Sequence, residues 1–135
     1  MAARSKARKR ALDILFASEL RSDNPIEALA TTVADGEGPV NVYTTELVEG
    51  VHENRDRIDE VLREYAQGWT LERMPAVDRN VLRIGVFEIL FNADVPDAVA
   101  MSESLALVRE LSTDDSPAFV NGVLGAIARD KSSLV

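Results

Sequence analysis

Apolar residues recur at helical spacing along nearly the whole chain. Ala11, Leu12, Leu15, Phe16 and Leu20 form one stripe and predict a first helix from about Ser5 to Arg21. Carrying that stripe backward reaches Arg8 and Arg4, so the helix is expected to run past the core with its charged turns in solvent. Asn24-Pro25-Ile26-Glu27 reads as a helix start, with Asn24 as cap, Pro25 in the first turn and Glu27 closing a box with the cap. That second helix ends near Ala34, before a break at Gly36-Glu37-Gly38-Pro39.

Tyr43, Leu47, Val48 and Val51 mark a third helix, and Asn54 caps a fourth whose inner face holds Ile58, Val61, Leu62 and Tyr65. Gly68 ends it, and Thr70 begins a short turn. From Val77 to Phe91 apolar residues cover almost every side, which predicts a central helix packed by several neighbours. Its charges, Asp78, Arg79, Arg83 and Glu88, are expected on the strip or ends that stay wet. Val99, Met101, Leu105, Val108 and Leu111 give a sixth helix, and Ser116-Pro117 opens a seventh bearing Phe119, Val120, Val123, Leu124 and Ile127. Gly122 and Gly125 inside that helix suggest close approach of another backbone. No segment alternates as a strand does. The expected fold is all-α, a single domain over 1–135 of about seven helices in two small packed bundles sharing the central helix.

Composition narrows the function. A chain of 135 residues suits one domain with one core. It has no cysteine and one histidine, His52, so disulfides, thiolate sites and multi-histidine metal sites within the chain are excluded. No apolar run reaches the roughly 18 to 20 residues of a membrane span. Asp13 and Glu19 interrupt what would follow a basic leader, and a cytoplasmic location is expected. The formal charge is −8, yet Arg4, Lys6, Arg8, Lys9 and Arg10 crowd the first ten positions. Without those ten residues the chain has ten basic against twenty-three acidic groups, or −13. A basic arm on an acidic body suits two partners, a polyanion for the arm and something basic for the body.

Catalysis finds little support. No phosphate loop, dinucleotide fingerprint, histidine-metal helix or nucleophile elbow is present. Asp114-Asp115 before a helix reads as caps and dipole partners, and His52 as a surface or capping residue. The sequence therefore describes a binding protein, not an enzyme, with no cofactor and no metal. Single-stranded RNA recognition would need an aromatic face and an amide beside the cations. Phe119 and Asn121, at the start of the last long helix, offer both. Phe119 also shares a stripe with Val123 and Ile127, so spacing alone favours the core over a stacking platform.

The segment Asp115-Ser116-Pro117-Ala118-Phe119-Val120-Asn121-Gly122-Val123-Leu124 resembles the C-terminal signature of the transcription antitermination factor NusB family. Val77 to Leu90 resembles that family's central helix, Asp94-Val95-Pro96 with the helix ending at Glu110-Leu111 the link between them, and Arg4 to Leu20 its arginine-rich first helix. The resemblance implies two three-helix units, no enzymatic activity, and binding of boxA RNA in ribosomal RNA transcripts. It further implies pairing with NusE, a small-subunit ribosomal protein, within the RNA polymerase antitermination complex that holds the other Nus factors. RNA contacts are then expected at Arg4, Lys6, Arg8, Phe119 and Asn121. Partner contacts are expected at Phe16, Leu20, Glu72, Asp78 and Asp115.

The chain departs from the family where Met101-Ser102-Glu103-Ser104 replaces the common Ile-Asn-Glu-Ala, which removes an amide, and at Ser5, where many relatives carry arginine. The competing class is a helical protein–protein adaptor whose arm is ordinary solvated charge. Such a protein would have no affinity for single-stranded RNA at low salt.

Overall fold

A computed structural model describes residues 2–34 and 41–135; the break expected at Gly36–Pro39 lies outside them. Eight α-helices and one 3-10 turn are present among the described residues, and no strand. In chain order they are α1 (Ala2–Arg21), α2 (Pro25–Ala34), α3 (Val42–Glu53), α4 (Arg55–Tyr65), the 3-10 turn Leu71–Arg73, α5 (Ala76–Phe91), α6 (Asp97–Leu111), α7 (Ser116–Arg129) and α8 (Lys131–Leu134). They divide into two compact units, Met1–Glu53 and Asn54–Val135.

The first unit is α1, α2 and α3. Its buried apolar face is supplied by Ala7, Ala11, Leu12, Ile14 and Leu15 of α1, Leu29 of α2, and Tyr43, Leu47, Val48 and Val51 of α3. Local chemistry sets the helix starts. The Asn24 side-chain oxygen accepts from the Ile26 N–H at 2.8 Å, and Asn41 accepts from the Tyr43 N–H at 2.7 Å. Asn41 went unread in the sequence because the cap follows the Gly-Pro break directly. After α1 the chain turns at Ser22, which takes φ 57°, while the Asp23 N–H reaches the Ser18 carbonyl at 2.8 Å. Between α1 and α3 the Thr44 hydroxyl donates to the Ala7 carbonyl at 3.1 Å.

The second unit is built on α5, which packs against α4, α6, α7 and α8. Ile58, Val61 and Leu62 of α4, Val81, Leu82, Ile84, Val86 and Ile89 of α5, Ala100 and Val108 of α6, and Val120, Leu124 and Ile127 of α7 are buried there. Gly85 marks a tight approach of α5 to α6 and α7. A Cβ at that position would stand 2.9 Å from Leu124 Cδ1 and 3.0 Å from the Ser104 hydroxyl. The close approach expected at Gly122 and Gly125 is absent. A Cβ at Gly122 would meet nothing within 4 Å, and one at Gly125 only the side-chain ends of Arg129 and Met101 at 3.6 Å.

The charges of α5 also depart from expectation, since Asp78, Arg83 and Glu88 are buried. The physical reason is pairing, because a buried charge is tolerated when its hydrogen bonds are satisfied. Arg83 forks onto Asp59 of α4, Nε to Oδ1 at 2.9 Å and Nη2 to Oδ2 at 3.1 Å. Arg55 adds a third contact to Asp59 Oδ2 at 3.1 Å. Asp78 accepts from the Ser112 hydroxyl at 2.6 Å and the Ser116 hydroxyl at 2.8 Å, tying the start of α5 to the α6–α7 turn. Arg79 donates from Nη1 to the Leu71 carbonyl at 2.6 Å and the Met74 carbonyl at 3.1 Å, pinning the 3-10 turn. Ser116 is the first residue of α7, and Asp115 stands before it at the cap position without a side-chain cap bond.

Candidate nucleic-acid interface

In the first unit, helical phase sorts the arm into two faces. Arg4 and Arg8, one turn apart, lie over one aromatic ring: their guanidinium carbons stand 4.4 Å and 5.5 Å from the Tyr43 centroid. A planar, weakly hydrated guanidinium stacks well on a ring face, and the contact strengthens as water leaves it. Arg8 is only 3% exposed. That corrects the expectation that all the charged turns of α1 project into solvent: Arg8 belongs to the fold, and Arg4 remains exposed beside it. Lys6 and Lys9 are exposed on the opposite phase. With Ala3, Ala7, Arg10, Asp13, Asn41 and Thr44 they line an open cleft of about 390 Å³. Three cations against one carboxylate make its field positive, which suits a phosphate chain. Further along α1, Phe16 is half-buried and Leu20 is 66% exposed.

In the second unit, Phe119 is half-buried and Asn121 exposed. Half-burial fits the apolar stripe that Phe119 shares with Val123 and Ile127 and leaves part of its ring accessible. Its ring meets Trp69 with centroids 6.1 Å apart and planes at 55°. The same ring borders a shallow cleft of about 570 Å³ that Glu64, Tyr65, Gln67, Gly122, Ala126 and Asp130 also line. Gly122, open where its Cβ would be, keeps that cleft clear beside Phe119. Tyr65 donates to Asp130 Oδ2 at 2.6 Å. That hydrogen bond to a carboxylate, with smaller contributions from desolvation and the charges of Asp130 and Glu64, pushes the Tyr65 phenol up to about 12.

Among the expected partner residues, Asp115 and Glu72 are exposed, Glu72 lying 3.9 Å from Arg63 in a loose surface pair. Asp78 is 3% exposed, so the carboxylate expected on the partner surface is an interior bracket for two serine hydroxyls. Trp69, beside the Phe119 ring, and Lys9, on the arm's cleft, were not singled out from the sequence. Trp69 lies in an aperiodic turn, and its only signal was an aromatic ring following Gly68 in a chain with few aromatics.

The arrangement offers cations, amides and aromatic faces, which is binding chemistry. No group of three or more histidine, cysteine, aspartate or glutamate side chains able to hold a metal occurs among the described residues. No helix among them is long and apolar enough to cross a membrane.

Comparison with known proteins agrees with the fold. The NusB family model matches residues 5–129. The transcription antitermination protein NusB of Nocardioides sp. is 63% identical over 134 residues, covering 99% of each chain. Among solved structures, T. maritima NusB superposes with a TM-score of 0.85 at 30% identity, over 94% of this chain and 91% of the other. A chain in the crystal structure of antitermination factors NusB and NusE in complex with dsRNA superposes with a TM-score of 0.84 at 28% identity, over 96% of this chain and 98% of the other.

Proposed function

The chain belongs to the NusB family, which is non-enzymatic, and on that premise we propose that it is a cytoplasmic transcription antitermination factor. In this reading it binds boxA RNA of ribosomal RNA transcripts together with NusE, and through that pair joins the other Nus factors and RNA polymerase. The observation that carries the reading is the likeness, over 96% of the chain, to a chain in a crystal structure of NusB and NusE with dsRNA. Two features of the chain support it. Lys6, Lys9 and Arg10 border one cleft on the arm, and Phe119 with Asn121 sets an aromatic face beside an exposed amide.

The roles divide by chemistry. Cations on α1 neutralise phosphates and fix the RNA chain without reading sequence. Phe119 stacks on an unpaired base, and Asn121, as donor and acceptor, pairs with a base edge. Arg4 is held over Tyr43, so less of its side-chain freedom is lost when it meets a phosphate. On the first unit Phe16 and Leu20 offer apolar anchors to a basic ribosomal protein, and on the second the exposed carboxylates Glu72 and Asp115 offer acidic charge.

The test is the salt dependence of binding to single-stranded boxA RNA. Each phosphate contact contributes about 0.7 to the slope of log affinity against log salt. Replacing Arg4, Lys6 and Lys9 with alanine should flatten that slope by about 2 and weaken binding, with the melting temperature within about 2 °C of wild type. Arg8→Ala should instead lower the melting temperature, because it removes a buried side chain. Wild-type affinity and slope in the triple variant would remove the arm from the RNA site. No affinity at low salt in the unaltered chain would leave the adaptor reading.

A further inference from the structure

We propose that Trp69 is a second base-stacking platform beside Phe119, so that the second unit seats two successive unpaired bases. The inference rests on the RNA-binding reading above and deepens it. Trp69 is the chain's one tryptophan and is 50% exposed. An isolated exposed apolar residue needs no explanation, but this ring forms a pair with the residue already argued to take a base.

The turn that presents Trp69 is held. Gly68 takes φ +84°, the Trp69 N–H donates to the Ala66 carbonyl at 3.2 Å, and Leu71 is buried two residues on with its carbonyl bonded to Arg79. An indole on a fixed turn loses little freedom on binding, which is how aromatic anchors gain affinity.

The geometry selects the ligand's form. Stacked bases in a duplex are parallel and follow about every 3.4 Å. The two rings here are 6.1 Å apart and 55° from parallel. They fit bases pulled out of register with each other, each lying on its own ring, and not two steps of a continuous helix. The cleft that Phe119 borders is lined by Glu64 and Asp130 and by no lysine or arginine. Phosphates are repelled there, so the chain must present base edges to this face and carry its backbone outside it. Gln67 can serve either edge pattern, and Glu64 accepts from exocyclic amines.

Because Trp69 is the only tryptophan, its emission reports on this face alone. The full chain is titrated with short single-stranded boxA RNA while anisotropy of a terminal label on the RNA follows binding independently. Indole quenching should track the anisotropy. Trp69→Ala should weaken binding about 5- to 30-fold, within the range of base–aromatic stacking, with the melting temperature within a few degrees of wild type. Trp69→Phe should restore most of the affinity. Trp69→Leu keeps apolar bulk without a ring face, and should bind like Trp69→Ala even if the alanine variant folds poorly.

RNAs with single abasic sites assign the two bases. Two adjacent positions should be sensitive in wild type, one losing its sensitivity in Trp69→Ala and its neighbour in Phe119→Ala. If RNA binds but the indole emission and the affinity of Trp69→Leu do not change, Trp69 only packs, and the proposal fails while the RNA reading stands. If anisotropy shows no RNA binding by the unaltered chain, both fail. Quenching that is indifferent to abasic substitution would mean contact without stacking and would also overturn the proposal.

Discussion

Asp78→Ala separates a buried bracket from a surface charge. In wild type each carboxylate oxygen takes one hydroxyl, Ser112 at 2.6 Å and Ser116 at 2.8 Å. A hydrogen bond to a charged group contributes about 1.5 to 3 kcal/mol, and two such bonds set an upper bound near 6 kcal/mol. The serines are not orphaned by the change, however, since Ser116 and Ser112 lie 3.1 Å apart and Ser116 also contacts Thr113 at 2.8 Å. The expected loss is therefore nearer one strong bond, about 2 to 3 kcal/mol. For a domain of this size that lowers the melting temperature by about 10 °C. Asp78→Asn keeps one carbonyl acceptor and should lose about half as much. Circular dichroism melts and urea titrations measure both. A melting temperature within about 2 °C of wild type, with slower association of NusE, would refute the reasoning and put this carboxylate on the partner surface after all.

Three further predictions concern single positions. Gly85→Ala should cost about 1 to 3 kcal/mol in a urea titration, because its methyl meets Leu124 at 2.9 Å and Ser104 at 3.0 Å. Gly122→Ala, with open space at its Cβ, should stabilise the chain by about 0.5 to 1 kcal/mol. The Tyr65 phenol, raised from 10.0 to about 12, binds its proton more tightly in the folded state than in the unfolded one. Its contribution to stability is complete below pH 10 and is lost as pH rises toward 12. Ultraviolet titration of Asp130→Asn should return that phenol toward its ordinary value, whereas an unmoved titration would assign the shift to another cause.

Most helices were legible because their buried faces repeat at helical spacing. The stripe Ala11, Leu12, Leu15 needed only neighbours on one side, and Asn24-Pro25 marked a start by chemistry confined to four residues. The interior of α5 was not legible in the same way. Asp78, Arg83 and Glu88 interrupt an apolar helix, and periodicity places such residues at the surface unless a partner is known. Their partners are distant in sequence: Asp59 for Arg83, Ser112 and Ser116 for Asp78. The glycines failed for a related reason. A helix-interior glycine marks either close packing or mere tolerance, and the tight contact falls at Gly85 while Gly122 faces open space. At the candidate site, Phe119 and Asn121 stood out beside a turn. Trp69 did not, since its place next to Phe119 depends on the α4–α5 connection folding back, which no local pattern encodes. Arg8 was named from charge alone, and its commitment to Tyr43 depends on a ring thirty-five positions away.

The central claim is joint recognition of boxA RNA and NusE. Its most direct test is the affinity of the full chain for labelled boxA RNA and for a scrambled RNA of equal length, at fixed salt, with and without NusE. The account predicts that NusE co-purifies with the chain, that boxA is preferred, and that adding NusE tightens boxA binding. Equal binding of both RNAs, or NusE association with no RNA affinity at low salt, would contradict it.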